Sequence, residues 1–254
     1  MSQTRYHVNP ATGSVGLCRA FYECPFGDFE TAHFDSKKNA QRFFESTQDT
    51  FPSTSKKVSI YRVGSLEPPT TYFPDLDRIV ERMDEGVPEG RQGRRGAIYA
   101  SSDLESHARW ILGVSSTQRE QSHELRVNPE SVYVYPINLY EDASAAESMG
   151  RTEEFERLRK EYWESGITLA EWRKWAIKAK PKSGEWEILL SPNDFTGSKP
   201  VSSRRIIENA PENLASLVNW ALEPRRATKG LIWRKEIPNI ETFTGDRNDE
   251  NTSE

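Results

Sequence analysis

Cysteine, histidine and positive charge are all scarce in this chain. Its 254 residues include 2 Cys and 4 His, and 34 Lys and Arg stand against 39 Asp and Glu, a formal net charge of −5. Two thiols cannot staple a chain of this length, and in a reducing compartment no structural disulfide between Cys18 and Cys24 is expected. The acidic balance excludes broad attraction to phosphate backbones. It leaves only local basic patches, Arg91, Arg94 and Arg95 or Arg204 and Arg205, as routes to nucleic acid. No apolar run approaches the roughly eighteen residues of a membrane span, and the N-terminus lacks the apolar stretch of a signal peptide. The expectation is a cytoplasmic protein with no membrane partner.

Bulky core material, by contrast, is plentiful. The 7 Trp, 11 Phe and 9 Tyr can fill one large or two modest domains, and the capped, periodic segments predict an α+β fold. Residues 1–48 read as a small unit of their own, carrying His7, Cys18, Cys24 and His33 among several prolines and glycines. Two thiolates and two imidazoles make a complete tetrahedral zinc set, and so short a loop-rich segment has little apolar surface to hold itself together. The spacing lacks a close Cys-x-x-Cys pair, so two half-buried cysteines with incidental histidines remain an equal reading. Ser36 is placed to cap a helix with Ala40, Phe43 and Phe44 on one face. The unit is also similar to a short module at the start of assorted proteins of actinobacteria and their phages, which suggests a phage or bacterial effector and implies no chemistry.

Gln48 to Lys57 is a polar linker, and a second domain is expected over residues 58–240, with 245–254 a disordered tail. Val58 to Gly64 predicts a strand with Arg62 near its end. Pro74 and Asp75 open a helix with Leu76, Ile79, Val80 and Met83 inward. Ala97 to Ser101 predicts a strand, and Ser102 with Glu105 a capping box for the next helix, which leaves Ser101 without a structural task. Strands are expected at His123–Val127 and Val132–Leu139, a helical insertion at 140–182 with a core-packing Trp172 and Trp175, a basic strand at Val201–Ile207, a helix near Glu212–Leu222 and a last strand at Leu231–Ile237.

The most informative stretch is Ser183 to Pro192. A loop of small residues feeds Glu185, Trp186, Glu187, Ile188, Leu189 and Leu190, an apolar strand whose only charges are two carboxylates. Period-two alternation puts Glu185 and Glu187 on one face, where a buried carboxylate is costly unless paired or in use. Exposed structural glutamates are the plain alternative.

An Arg ending a strand, an aromatic strand ending in Ser before a helix, and Glu-x-Glu opening an apolar strand occur here in that order. Over residues 58–237 this resembles the ADP-ribosyltransferase family, in its Arg, Ser, Glu class. The matching pieces are Tyr61-Arg62-Val63-Gly64, Tyr99-Ala100-Ser101-Ser102, and Glu185 to Pro192. The family's Ser-Thr-Ser is here Ser101, Ser102, Asp103, and Tyr99 also looks like the nicotinamide-stacking tyrosine of the His, Tyr, Glu class. The resemblance implies a split mixed β-sheet core and a mono-ADP-ribosyltransferase that cleaves NAD. It implies that Glu187 holds the ribose, Ser101 orients Glu187, Arg62 pairs with NAD phosphate and Glu185 serves the acceptor, commonly a protein arginine. NAD glycohydrolysis, transfer to nucleic acid, and a catalytically silent partner-binding protein are the other readings.

Overall fold

The computed structural model describes residues 5–20, 24–48, 57–69, 74–114, 116–119, 121–182 and 184–223. Most of the predicted linker, the strand at Leu231–Ile237 and the tail lie outside the described residues. All of the following belongs to one compact unit, Met1–Leu222.

A short hairpin, β1 (Tyr6–Val8) and β2 (Val15–Leu17), precedes α1 (Lys37–Gln48), whose Asn39 N–H donates to Ser36 Oγ at 3.3 Å. Next come β3 (Val58–Val63), α2 (Pro74–Asp84), β4 (Ile98–Ala100), α3 (Leu104–Gly113), α4 (Ser116–Arg119), β5 (Ser122–Val127) and β6 (Tyr133–Pro136). The helical stretch holds α5 (Ile137–Ser148), α6 (Thr152–Glu164) and α7 (Leu169–Ala179), with β7 (Ile167–Thr168) between the last two. The chain then runs through β8 (Trp186–Leu190), β9 (Phe195–Pro200), α8 (Ser203–Glu208), a 3-10 turn and α9 (Ala215–Leu222).

The fold is α+β. One sheet has the order β3-β5-β9 and the other β4-β8-β6-β7. A mixed sheet was expected, yet every described pairing in these sheets is antiparallel. The two sheets meet where Tyr61 and Ser101 exchange backbone hydrogen bonds of 2.9 and 2.8 Å.

Several local expectations are corrected. Ser102 does not cap α3; Asp103 does, accepting from Ser106 N–H at 2.7 Å, and Ser102 Oγ donates to Asp103 Oδ2 at 2.6 Å. A carboxylate is as good a cap as a hydroxyl, and it stands one residue nearer the helix. Leu76 is exposed, whereas Ile79, Val80 and Met83 are buried. Ile137 to Leu139 belong to α5 rather than to a strand. The expected basic strand is α8, where Ser202 Oγ accepts from Arg205 N–H and Arg204 pairs with Glu208 one turn on.

All five residues of β8 are buried, as its place between β4 and β6 requires. The helical stretch is no detached insertion, since β7 extends this sheet and Thr168 with Glu171 builds the capping box of α7. Trp186 packs against Trp172 and Trp175 on α7, ring centroids 6.3 and 5.5 Å away, and its Nε1–H donates to Pro25 O at 2.9 Å. The same seating joins Asp28 N–H and Thr31 Oγ1 to Ala179 O. Gly27 is required there: its φ is +121°, and a Cβ would lie 2.8 Å from Ala179 O and 2.4 Å from Ala32 Cβ. The Cys/His segment is thereby fastened to the back of β8. Among the described residues no helix is long and apolar enough to cross a membrane.

Candidate functional site

Arg62, Ser101 and Glu187 lie on laterally neighbouring strands, β3 and β4 being joined by the Tyr61–Ser101 bridge and β4 paired with β8. Arg62 follows Tyr61 on β3, Ser101 follows Ala100 on β4, and the pairing of β4 with β8 runs to Ala100 opposite Ile188, the neighbour of Glu187. Arg62 donates through Nη1 to Tyr99 O at 3.1 Å and through Nε to Ser65 O at 3.1 Å, so its fork rests on main-chain carbonyls. Burial works against its charge. The side chain of Ser101 is fully buried and donates to Tyr61 O at 3.2 Å, not to Glu187. The expected orienting bond is therefore absent, because the adjacent carbonyl at the seam claims the hydroxyl.

Glu187 is oriented from the other side. Its cross-strand neighbour is Tyr135, and Trp186 next to it faces the opposite way, as period two demands. Both carboxylate oxygens receive the Arg94 guanidinium, Oε1 from Nη1 and Oε2 from Nη2 at 3.3 Å, and the two residues are each 4% exposed. Tyr162 Oη donates to Oε1 at 3.1 Å and accepts from Arg94 Nη1 at 2.6 Å. The guanidinium lies 3.3 Å from the Tyr140 ring centroid, with the Tyr99 and Tyr162 rings at 5.2 and 5.4 Å. Burial opposes the Arg94 charge, but Glu187 outweighs it and holds the guanidinium firmly protonated; burial drives the Tyr162 phenol upward and keeps it neutral.

The sequence did not point to Arg94 and Tyr162 as partners of Glu187, and offered Arg94 only as one cation of a local basic patch. The only signal was the cost of a buried strand carboxylate, which demands a cation without naming it. The basic faces do not form either. Arg91 donates to Trp163 O and stacks 4.2 Å from the Tyr133 ring centroid, Arg95 faces Asp77 and Glu81, and Arg204 and Arg205 pair with Glu208 and Glu124.

Glu185 precedes β8 and is half-buried; burial raises its carboxyl, Lys182 opposes that rise and Glu141 adds to it. Its neighbours Gly184 and Trp186 line a cavity of about 260 Å3 whose wall includes Asp103, Arg109, Trp172 and Lys182.

His107 on α3 is fully buried, hydrogen-bonded through Nε2 to Ser122 Oγ at 3.1 Å, and lowered to about 4 by burial and by Arg62. A base depressed in the folded state stays neutral while the unfolded chain takes up protons. Its stabilisation is whole above pH 6.5 and is lost as pH falls toward 4, on the order of 3 kcal/mol in total. Denaturant titrations across that window should show this loss in the native chain and a shallower one in His107→Asn.

In the N-terminal segment His7, Cys18, Cys24 and His33 do come together, with one ligand atom from each within 4.8 Å of the others. Such a group could hold a metal ion. Both thiols are free, and Cys24 Sγ lies 3.2 Å from His7 Nδ1. The β1–β2 register sets His7 opposite Gly16, where a side chain would press on the ring. His33 Nδ1 faces Asp28 O at 3.1 Å, which leaves a buried Nε2 with no hydrogen-bond partner, the arrangement that presents a lone pair to a metal. Without a metal, burial and His33 lower His7 to about 4, and burial pushes the Cys24 thiol up.

No family model matches the chain, and no curated protein or solved structure matches it.

Proposed function

We propose that this protein is a mono-ADP-ribosyltransferase with a transferase-like split-sheet core. In this reading it cleaves NAD at the nicotinamide–ribose bond and passes ADP-ribose to a macromolecular acceptor, a protein arginine by preference. The observation that carries the reading is that Arg62, Ser101 and Glu187, far apart in sequence, lie on β3, at the end of β4 and on β8, three laterally neighbouring strands. As the bond to nicotinamide breaks, the leaving ring keeps the electron pair and positive charge develops on the ribose. A fixed carboxylate stabilises that charge where it forms, which is the role given to Glu187. Arg62 offers a permanently charged fork to the pyrophosphate once it exchanges its carbonyl acceptors for the ligand. Glu185, raised by burial, takes the proton that the acceptor nitrogen loses as it bonds to the ribose carbon.

The absence of a basic face among Arg91, Arg94, Arg95, Arg204 and Arg205 favours protein over nucleic acid as acceptor. Zinc is the ion assigned to His7, Cys18, Cys24 and His33. Zn–N and Zn–S bonds of about 2.0–2.3 Å put tetrahedral ligands roughly 3.3–3.8 Å apart, close to the spacing of Cys24 and His7. The ion would be structural, holding the segment behind β8. The reading as a silent partner-binding protein is favoured by one observation, the closure of Glu187 by Arg94.

The test is incubation with NAD labelled in the ADP-ribose half, following both nicotinamide release and label on protein. Glu185→Ala should lose transfer by about 10²-fold while NAD hydrolysis falls less, since water needs no oriented guanidinium. No release at all, from the native chain or from a folded variant whose Glu187 is freed of Arg94, would sink the proposal, and equal loss of both activities would sink the role given to Glu185.

A further inference from the structure

We propose that the loop from Gly90 to Gly96 is an autoinhibitory plug, in which Arg94 closes the Glu187 carboxylate until the loop withdraws. The inference rests on reading Glu187 as the carboxylate that meets the ribose. In the closed state three of that carboxylate's four acceptor sites are filled, both on Oε1 by Arg94 and Tyr162 and one on Oε2 by Arg94. The pair is sealed from water and roofed by Tyr140.

The cation comes neither from a helix nor from a strand. It hangs from an irregular surface segment flanked by Gly90 and Gly96, whose φ values are +78° and +75° and beside which a Cβ would meet nothing. Such residues absorb large backbone changes at low cost. Three bonds from neighbouring side chains latch its main chain, Arg94 N–H to Asp84 Oδ1 and Arg95 N–H to Asp84 Oδ2, both 2.7 Å, and Tyr99 Oη–H to Arg94 O at 2.9 Å, while the Arg91 and Arg95 side chains add contacts to Trp163 O and to Asp77 and Glu81. Two of the three are made by one side chain. The closed fork is also incompletely satisfied, since the buried Arg94 Nε has no hydrogen-bond partner. Beneath the same loop, a cavity of about 190 Å3 lined by Gly90, Arg91, Gln92 and Tyr135 gives the segment room to rearrange. Withdrawal would leave an anionic carboxylate among tyrosines and move the guanidinium into water.

Nicotinamide release at subsaturating NAD is the measurement, on the full chain and on Arg94→Ala and Asp84→Ala, with folding checked by circular dichroism. If the open state is populated at a tenth or less, removing the plug raises the rate roughly tenfold or more, and loosening the latch raises it in part. A folded Arg94→Ala that cleaves NAD no faster than an active native chain overturns the plug and leaves the transferase reading intact. Silence of every variant overturns both. Should Arg94→Ala fail to fold, Asp84→Ala decides: faster release supports the plug, and an unchanged rate overturns it.

Discussion

Glu187→Ala is expected to abolish measurable NAD cleavage and, at the same time, to weaken the fold by about 3–5 kcal/mol. The two losses have separate causes. The first removes the charge that would face the developing cation, an effect of about 10²–10³-fold for a single preorganised group and larger where that group carries most of the stabilisation. The second leaves Arg94 buried at 4% exposure with no counter-charge. A loss of that size is a large share of the stability of an ordinary domain, so an inactive Glu187→Ala could simply be unfolded. Glu187→Gln separates the causes, because it retains volume and one acceptor while losing the charge. Denaturant unfolding of Arg94→Ala, Glu187→Ala and the double variant completes the separation. The double variant should be less destabilised than the sum of the two singles, because the second deletion removes a charge that the first had stranded. A Glu187→Ala protein that melts and cleaves NAD like the native chain would contradict both the ion pair and the proposed role.

Metal removal should have the second largest effect, and it reaches the same strand from behind. Structural zinc in small modules supplies apparent binding energies of about 10–16 kcal/mol, comparable to or larger than a whole domain's stability. Even a fraction of that, lost in Cys18→Ser or Cys24→Ser, should lower the melting temperature by on the order of 10 °C. The consequence extends beyond the segment itself. Pro25, next to Cys24, accepts from Trp186, and Trp186 opens β8 between Glu185 and Glu187. Hydrogen exchange should therefore speed up in β8 as well as in β1 and β2. The protein as purified is expected to carry one equivalent of zinc by elemental analysis. A metal-free preparation, with cysteine variants that melt like the native chain, would return the group to two half-buried cysteines with incidental histidines.

How much was legible beforehand varied with the range of the forces involved. The β3 and β8 strands followed from short-range alternation, and the core packing of Trp172 and Trp175 from their spacing on one helix face. Where two local solutions compete, pattern alone misjudged them. Ser102 and Asp103 both suit a helix start, and the carboxylate won. Val201 to Ile207 reads as a basic strand with apolar ends, yet the Ser202 cap and the Arg204–Glu208 pair made a helix of it. The Cys/His group was visible as residue types, but irregular spacing could not say whether four side chains would meet; the hairpin and the seating of Pro25 against Trp186 brought them within 4.8 Å.

The sequence by itself determined that β8 would carry a carboxylate into an apolar sheet, because alternation and composition are local properties. Only the tertiary structure decided what answers that charge. The expected donor, Ser101, bonds instead to the Tyr61 carbonyl, and the cation is Arg94, 93 residues from Glu187 along the chain. A buried charge must find a partner, but which of the 34 cations reaches it depends on how the sheets meet and which loop crosses them. That geometry is set by the whole core, and no local pattern encodes it.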